Sequence, residues 1–126
     1  MPYQVFETKD GHIIIAVGNN TQFQRLCAFL GKPEWGSDLK YAANSARVTH
    51  RAELVPMLAA EFIKENSEYW IAGLADVDVP CGPVNTMDQT FEMEQIKARD
   101  MRIEMKHPLR SEKIALVGSP IKMSET

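Results

Sequence analysis

Cysteine and histidine are scarce in this sequence. Its 126 residues include 2 cysteines and 3 histidines. Cys27 and Cys81 lie far apart and follow no secretion signal, so we expect free thiols and no disulfide. The cysteines and histidines do not show the close spacing of metal ligands, so the sequence predicts no structural metal site.

A strong charge and a long apolar run are also missing. Lys plus Arg total 14 and Asp plus Glu total 17, a net charge of -3 spread along the chain, so we expect no nucleic-acid partner. No window approaches the roughly 18 apolar residues of a membrane span, and the first residues do not have the pattern of a signal peptide. We therefore expect no membrane partner and a cytoplasmic location.

Two apolar runs near the start of the chain predict a β-hairpin. Residues 3–8 and 12–17 flank Asp10-Gly11, a dipeptide that favours a tight turn between strands. Within the second run, residues 13–17 are continuously apolar, which is typical of a strand covered on both faces.

Helices are predicted in the middle of the chain. Apolar side chains recur at helical spacing in three segments, residues 22–30, 51–64 and 67–77. Asn20 or Thr21 would cap the first helix, and residues 32–48 are predicted to be irregular. Pro56 either lies in the first turn of the second helix or kinks it.

The remainder of the chain predicts a rigid segment, a short helix and a strand pair. Residues 79–84 contain two prolines and should form a rigid segment, extended or turning, that is not a central strand throughout. Thr86 and Gln89 have the spacing of a capping box. Residues 101–107 alternate between apolar and polar, as in a half-exposed strand, and would pair with residues 114–117. The whole order predicts an α+β fold with a small antiparallel sheet and several helices.

One local segment has the features of a ligand site. Gly18, Asn19, Asn20 and Gln22 join the end of a buried strand to the start of a helix. The free N–H groups and partial positive charge of a helix start suit anionic or carbonyl oxygens, and the amide side chains add donors. Ordinary helix capping is the alternative interpretation. Cys81 as a nucleophile would need an activating histidine, which no spacing indicates.

Several stretches taken together resemble the family III CoA-transferases, which include formyl-CoA transferase, carnitine CoA-transferase and the α-methylacyl-CoA racemases. They are PYQVFETKDG running into IAVGN, then LGKPEW, VPCGPV and VGSPIK. The resemblance covers nearly the whole chain, in order and without large gaps. Members of that family are much longer, with a large Rossmann-like domain, a small α+β domain and an interlinked dimer.

The resemblance implies a domain assignment and a limit on activity. Residues 1–100 would form the small domain, and residues 101–126 a strand pair that returns to the missing large domain. The family's nucleophilic aspartate belongs to that large domain, so no catalytic residue is assigned here and the chain alone is predicted to be inactive. Partners would be the large domain or a second copy in a homodimer. Acyl-CoA would be a substrate, and we expect no tightly bound cofactor.

The resemblance also places Gly18, Asn19, Asn20 and Gln22 toward the acyl-thioester end of the active site. In the racemase branch a glutamate near this junction acts as an acid and base. Amides do not exchange protons in that way, so a transferase is favoured over a racemase. A stand-alone binding or interaction module remains an alternative, because a domain separated from an interlinked dimer would expose apolar surface at residues 13–17 and 114–117. A small thiol enzyme that uses Cys81 is the third, least favoured hypothesis.

Overall fold

In the computed structural model, which describes residues 1–124, the chain opens with the predicted β-hairpin. Strands β1 (Tyr3–Glu7) and β2 (His12–Ala16) are antiparallel, with Glu7 opposite His12. The intervening loop closes with a hydrogen bond from the N–H of Thr8 to the carbonyl of Gly11, at 2.9 Å. The turn chemistry of Asp10-Gly11 thus produced the expected pairing.

A third strand completes the first sheet. Strand β3 (Cys81–Pro83) pairs antiparallel with β2, which makes β2 the central strand in the order β1-β2-β3. Ile13 and Ile15 on β2 are fully buried, whereas Ile14 and Ala16 on the opposite face are half-buried. The expectation of complete burial on both faces is therefore wrong, because helices pack on only one of them. The segment with two prolines is extended and forms an edge strand, in agreement with the expectation that it is not a central strand.

Five helices accompany this sheet. They are α1 (Asn20–Phe29), α2 (Pro33–Ser37), α3 (Asn44–Thr49), α4 (Arg51–Phe62) and α5 (Ser67–Asp76). Helices α4 and α5 contact the sheet, and α1 packs against α2 and α5. The two short helices α2 and α3 correct the prediction that residues 32–48 are irregular. Pro33 at the first position of α2 has the fixed φ that favours a helix start.

The core lies between the sheet and these helices, and aromatic rings occupy its centre. The ring of Phe62 lies 4.9 Å from that of Phe6 and 5.1 Å from that of Trp70. The indole N–H of Trp70 donates to the carbonyl of Phe62 at 2.8 Å, so the buried ring leaves no polar atom unpaired. Burial of aliphatic and aromatic side chains here supplies the main driving force for folding.

Pro56 lies inside α4 and not in its first turn. It is the sixth residue of the helix, so its missing N–H leaves the carbonyl of Ala52 without the usual helical donor. Both residues are on the exposed side, where water can bond that carbonyl. The first of the two alternatives for Pro56 is thereby excluded.

A second compact unit begins at Asn85. It contains helices α6 (Met87–Glu92) and α7 (Glu94–Ala98) and the antiparallel strands β4 (Arg102–Lys106) and β5 (Lys113–Val117). The capping box of Thr86 and Gln89 is present with both of its hydrogen bonds. Strand β4 is exposed along its whole length, which corrects the expectation of a half-exposed strand.

The two antiparallel sheets and the helices confirm the predicted α+β fold class. The compact units are Met1–Val84 and the residues from Asn85 onward. The assignment of residues 1–100 to a small domain and of residues 101–126 to a returning strand pair concerns a longer parent protein, and it stays a prediction. None of the helices described in residues 1–124 combines the length and the apolar character that a membrane crossing requires.

Candidate functional site

The junction between β2 and α1 is built by reciprocal capping. Asn19 is extended, with φ -146° and ψ 174°, and its Oδ1 accepts from the N–H of Gln22 at 2.9 Å. Gln22 turns back, and its Oε1 accepts from the N–H of Gly18 at 2.8 Å. Asn19 is therefore the N-cap, which corrects the prediction of Asn20 or Thr21. Those two residues are already in the first turn of the helix.

The side chain of Asn20 accepts a hydrogen bond from Arg47, a residue that the sequence analysis did not identify. Its Oδ1 accepts from Nη2 of Arg47, at 3.0 Å. Arg47 lies on α3 and its side chain is fully buried. Arg47 is a single arginine in a segment that was predicted to be irregular. No pattern in the surrounding sequence indicates that it is buried or that it contacts Asn20.

The junction consequently presents donors to solvent. The side-chain oxygens of Asn19, Asn20 and Gln22 all accept hydrogen bonds from within the chain, so their NH₂ groups remain for other partners. The backbone N–H groups of Asn20 and Thr21 are in the first helical turn, where no preceding helical carbonyl is available. Together with the partial positive charge of the helix start, this surface suits a carboxylate or a carbonyl oxygen.

The space next to the Cα atom of Gly18 is large enough for a small side chain. A Cβ at this position would come no closer than 3.4 Å to the nearest neighbouring atom, Oε1 of Gln22. Internal packing thus does not demand a glycine at this position. The glycine leaves the backbone open to close approach by another molecule.

An apolar hollow of about 410 Å³ adjoins the junction. Gln22 forms one side of it, and the other lining residues come from α5 and the segment that leads into β3: Ile71, Ala75, Asp78, Val79, Pro80 and Cys81. The hollow and the donor-rich junction share Gln22. An extended molecule with one polar end and one aliphatic part would fit both.

Cys81 borders this hollow without the features of an activated nucleophile. Its thiol lies 3.8 Å from the carbonyl of Ile71, and burial raises the pKa of the Cys81 thiol above its ordinary value. The thiol is therefore protonated at neutral pH and is a weak nucleophile. Among residues 1–124, no group of three metal-ligating side chains is brought together.

Comparison with known proteins finds a matching family and similar enzymes. The sequence model described as CoA-transferase family III matches residues 1–126. Succinyl-CoA:glutarate CoA-transferase of Mus musculus is 38% identical over 125 residues, which is 99% of this chain and 28% of that protein. Succinate--glutarate CoA-transferase of Agrobacterium fabrum is also 38% identical, over 99% of this chain and 31% of that protein. Succinyl-CoA:mesaconate CoA-transferase of Haloarcula hispanica is 32% identical over the same share of each.

Solved structures agree in fold. A CAIB/BAIF family protein from Brucella suis superimposes with a TM-score of 0.85 and 37% identity, over 98% of this chain and 31% of that one. A Mycobacterium tuberculosis protein superimposes with a TM-score of 0.82 at 21% identity, over 100% of this chain and 35% of that one. The chain thus spans about a third or less of the length of each of these proteins.

Proposed function

The chain belongs to CoA-transferase family III, and on that premise we propose that it forms the small α+β domain of an enzyme that moves CoA from an acyl-CoA to a carboxylic acid. The observation that carries this proposal is the donor-rich junction formed by Gly18, Asn19, Asn20 and Gln22. It offers hydrogen-bond donors and no acid or base, which is the chemistry needed to hold a thioester carbonyl or a carboxylate.

The names of two relatives support a proposal for the substrate class. The names of the Mus musculus and Agrobacterium fabrum enzymes combine succinate with glutarate, and both are dicarboxylic acids. We infer that this domain serves a succinyl-CoA donor and a dicarboxylic acceptor. A dicarboxylic substrate offers the junction an anionic end, and its methylene groups fit the apolar hollow beside Gln22.

The proposed reaction divides the work between two domains. An aspartate of the large domain attacks the thioester, which forms an anhydride and releases CoA as a thiolate. The thiolate attacks the aspartyl carbonyl, which releases the donor acid and leaves an enzyme–CoA thioester. The acceptor carboxylate repeats these two steps in reverse and departs as its CoA ester. In this scheme the present chain binds and orients the acyl end, and the isolated chain has no turnover.

A domain exchange tests the proposal. The matching 125 residues of the Agrobacterium fabrum enzyme are replaced by this chain. Formation of glutaryl-CoA from succinyl-CoA and glutarate is then followed by chromatography. We expect transfer by the exchanged enzyme and none by the 126-residue chain alone. The control carries the corresponding segment of the Mus musculus enzyme. Activity of that control beside an inactive, folded exchange with this chain would contradict the proposal.

A charge substitution at the junction sharpens this test. Asn19→Asp keeps a good N-cap, so helix α1 should remain as stable as before. The new carboxylate would repel an anionic substrate, so the KM for the acceptor acid should rise. An unchanged KM would remove the junction from the substrate site, even if the exchanged enzyme transfers CoA.

A second function is favoured by the outer face of the first sheet. Tyr3 is 70% exposed and Val5 is 47% exposed, and Ile14 lies directly opposite Val5 on the same face. Residues 13–17 were expected to form an exposed apolar surface, but Ile13, Ile15 and Val17 are buried in the core. A stand-alone module would use the exposed face to associate with a second copy. Sedimentation of the wild-type chain and of Tyr3→Ser tests this, and a monomer at all concentrations argues against it.

A further inference from the structure

Arg47 connects three separate segments of the chain. Its Nε donates to the carbonyl of Met1 at 2.6 Å. Its Nη1 donates to the carbonyls of Tyr41 at 2.7 Å and Ala42 at 3.1 Å. Its Nη2 contacts Asn20, the only side chain among these partners. Arg47 thus donates four hydrogen bonds to neutral oxygens, and one of these oxygens belongs to the candidate site.

The charge of Arg47 has no counter-ion in the part of the chain that the structure describes. None of the ion pairs of residues 1–124 includes it. Its guanidinium lies over the ring of Phe23, 4.3 Å from the centroid, directly behind the first turn of α1. Its positive charge therefore adds to that of the helix start, at the same end of α1.

The contact also determines which way the amide of Asn20 points. Arginine has five N–H donors and no acceptor, so only the oxygen of the amide can face it. The NH₂ group of Asn20 must then face away from the core. A hydrogen bond to a charged group is stronger than a neutral one, and it polarises the amide that accepts it.

We propose that Arg47 is a positioning residue, which holds the NH₂ group of Asn20 outward so that it donates to a substrate carboxylate or thioester oxygen. The inference rests on the proposed function for the identity of the substrate. Its geometric part, a rigid and outward-facing Asn20 amide, is independent of catalysis. The two parts therefore have separate tests.

The first test uses Asn20→Asp in the exchanged enzyme. The new carboxylate still accepts from Arg47 and adds an ion pair, so the melting temperature should stay equal or rise. The NH₂ donor is lost, so the KM for the acceptor acid should rise about 10-fold or more, with a smaller change in kcat. If Asn20 serves only to satisfy Arg47, the KM stays unchanged, and this result would overturn the inference.

Gln24→Glu is the matched control. It makes the same change of charge on the exposed side of α1, one helical turn from Asn20 on the same face. We expect a much smaller rise in the KM than in Asn20→Asp, because Gln24 is exposed and solvent screens its charge. A rise equal to that of Asn20→Asp would mean that net charge, and not the Asn20 donor, governs the KM, and the inference would be wrong.

The second test asks whether Arg47 acts through Asn20. Arg47→Lys keeps the charge but offers three donors in place of five. It should raise the KM in the wild-type background and have no further effect on the KM in the Asn20→Ala background. Equal increases in the two backgrounds would refute a positioning role. If Arg47→Lys does not fold, the KM of Asn20→Asp still tests the inference, because that substitution removes no buried group.

The geometric part is measured by NMR on the 126-residue chain. The side-chain amide of Asn20 should have a high order parameter in the wild type and a lower one in Arg47→Lys. A mobile Asn20 amide in the wild-type chain would overturn the inference whether or not the exchanged enzyme transfers CoA. A rigid amide combined with an inactive exchange would instead locate the failure in the proposed function.

Discussion

Asp10 in the hairpin loop caps a helix that begins 57 residues later, at Ser67. The Oδ1 of Asp10 accepts from the backbone N–H of Ser67 at 2.7 Å. The hydroxyl of Ser67 lies 2.7 Å from that of the buried Thr8. Asn66, the residue in the N-cap position, makes no capping bond with its own side chain. The first turn of α5 is therefore completed by the hairpin.

This cap predicts a pH-dependent stability. The hydrogen bond from Ser67 lowers the pKa of Asp10, so the stabilisation is fully present above the unfolded-state pKa. It is lost as the pH falls through the lower pKa of the folded state. At neutral pH the urea midpoint should decrease in the order wild type, Asp10→Asn, Asp10→Ala. The gap between the wild type and Asp10→Asn should narrow as the pH falls below the ordinary pKa of an aspartate. A constant gap between them at all pH values would contradict the assignment.

We expect the effect of Gly73→Ala on stability to depend on the residue at position 29, because Gly73 on α5 faces Phe29. A Cβ there would come within 2.2 Å of Cζ of Phe29. Gly73→Ala should therefore destabilise the protein by about 1–2 kcal/mol, since overpacking outweighs the gain in helix propensity. In the Phe29→Ala background, the same change should stabilise by about 1 kcal/mol. Urea unfolding of the four proteins checks this, and destabilisation in both backgrounds would rule out the clash as its cause.

The two cysteines should differ in reactivity. Cys27 is fully buried, and burial raises its pKa to about 12, whereas Cys81 is half-buried at the edge of the hollow. With Ellman's reagent at pH 8, Cys27 should be inert in the folded chain and Cys81 should react slowly. Both should react in urea. In the exchanged enzyme Cys81→Ser should retain full transfer, and a complete loss would revive the hypothesis of a thiol enzyme.

Gly18 predicts a separation of binding from stability. Because a Cβ would fit at this position, Gly18→Ala should change the free energy of unfolding by less than about 0.5 kcal/mol. The added methyl group faces the surface where the substrate is proposed to lie, so the KM for acyl-CoA should rise in the exchanged enzyme. A rise in KM that accompanies a large loss of stability would indicate a structural role.

Local signals predicted the parts of the fold that depend on neighbouring residues. The Asp10-Gly11 turn and the capping box of Thr86 and Gln89 were correct, because each lies within a few residues of its partner. The first cap is Asn19, one residue before Asn20 and two before Thr21, the two residues that were predicted. Asn19, Asn20 and Thr21 are all able to cap, and the backbone conformation decides between them.

The missed contacts join distant segments. Nothing near Arg47 indicates that it is buried, because its partners Met1 and Asn20 lie 46 and 27 residues away. Asp10 was recognised as a turn residue, but its role as a cap depends on where α5 docks. Pairings of this kind arise from tertiary packing, which residue patterns along the chain do not encode.

The prolines at β3 make it difficult for a further strand to pair with the β3 edge of the first sheet. The hydrogen bonds from Ala16 to the carbonyl of Pro80 and from Val84 to that of His12 show which backbone groups face β2. By alternation, Cys81 and Pro83 direct their backbone groups away from the sheet. Proline has no N–H, so this edge offers an incoming strand one donor where two would be needed. The edge is therefore a poor template for strand addition, which protects the protein against edge-to-edge aggregation.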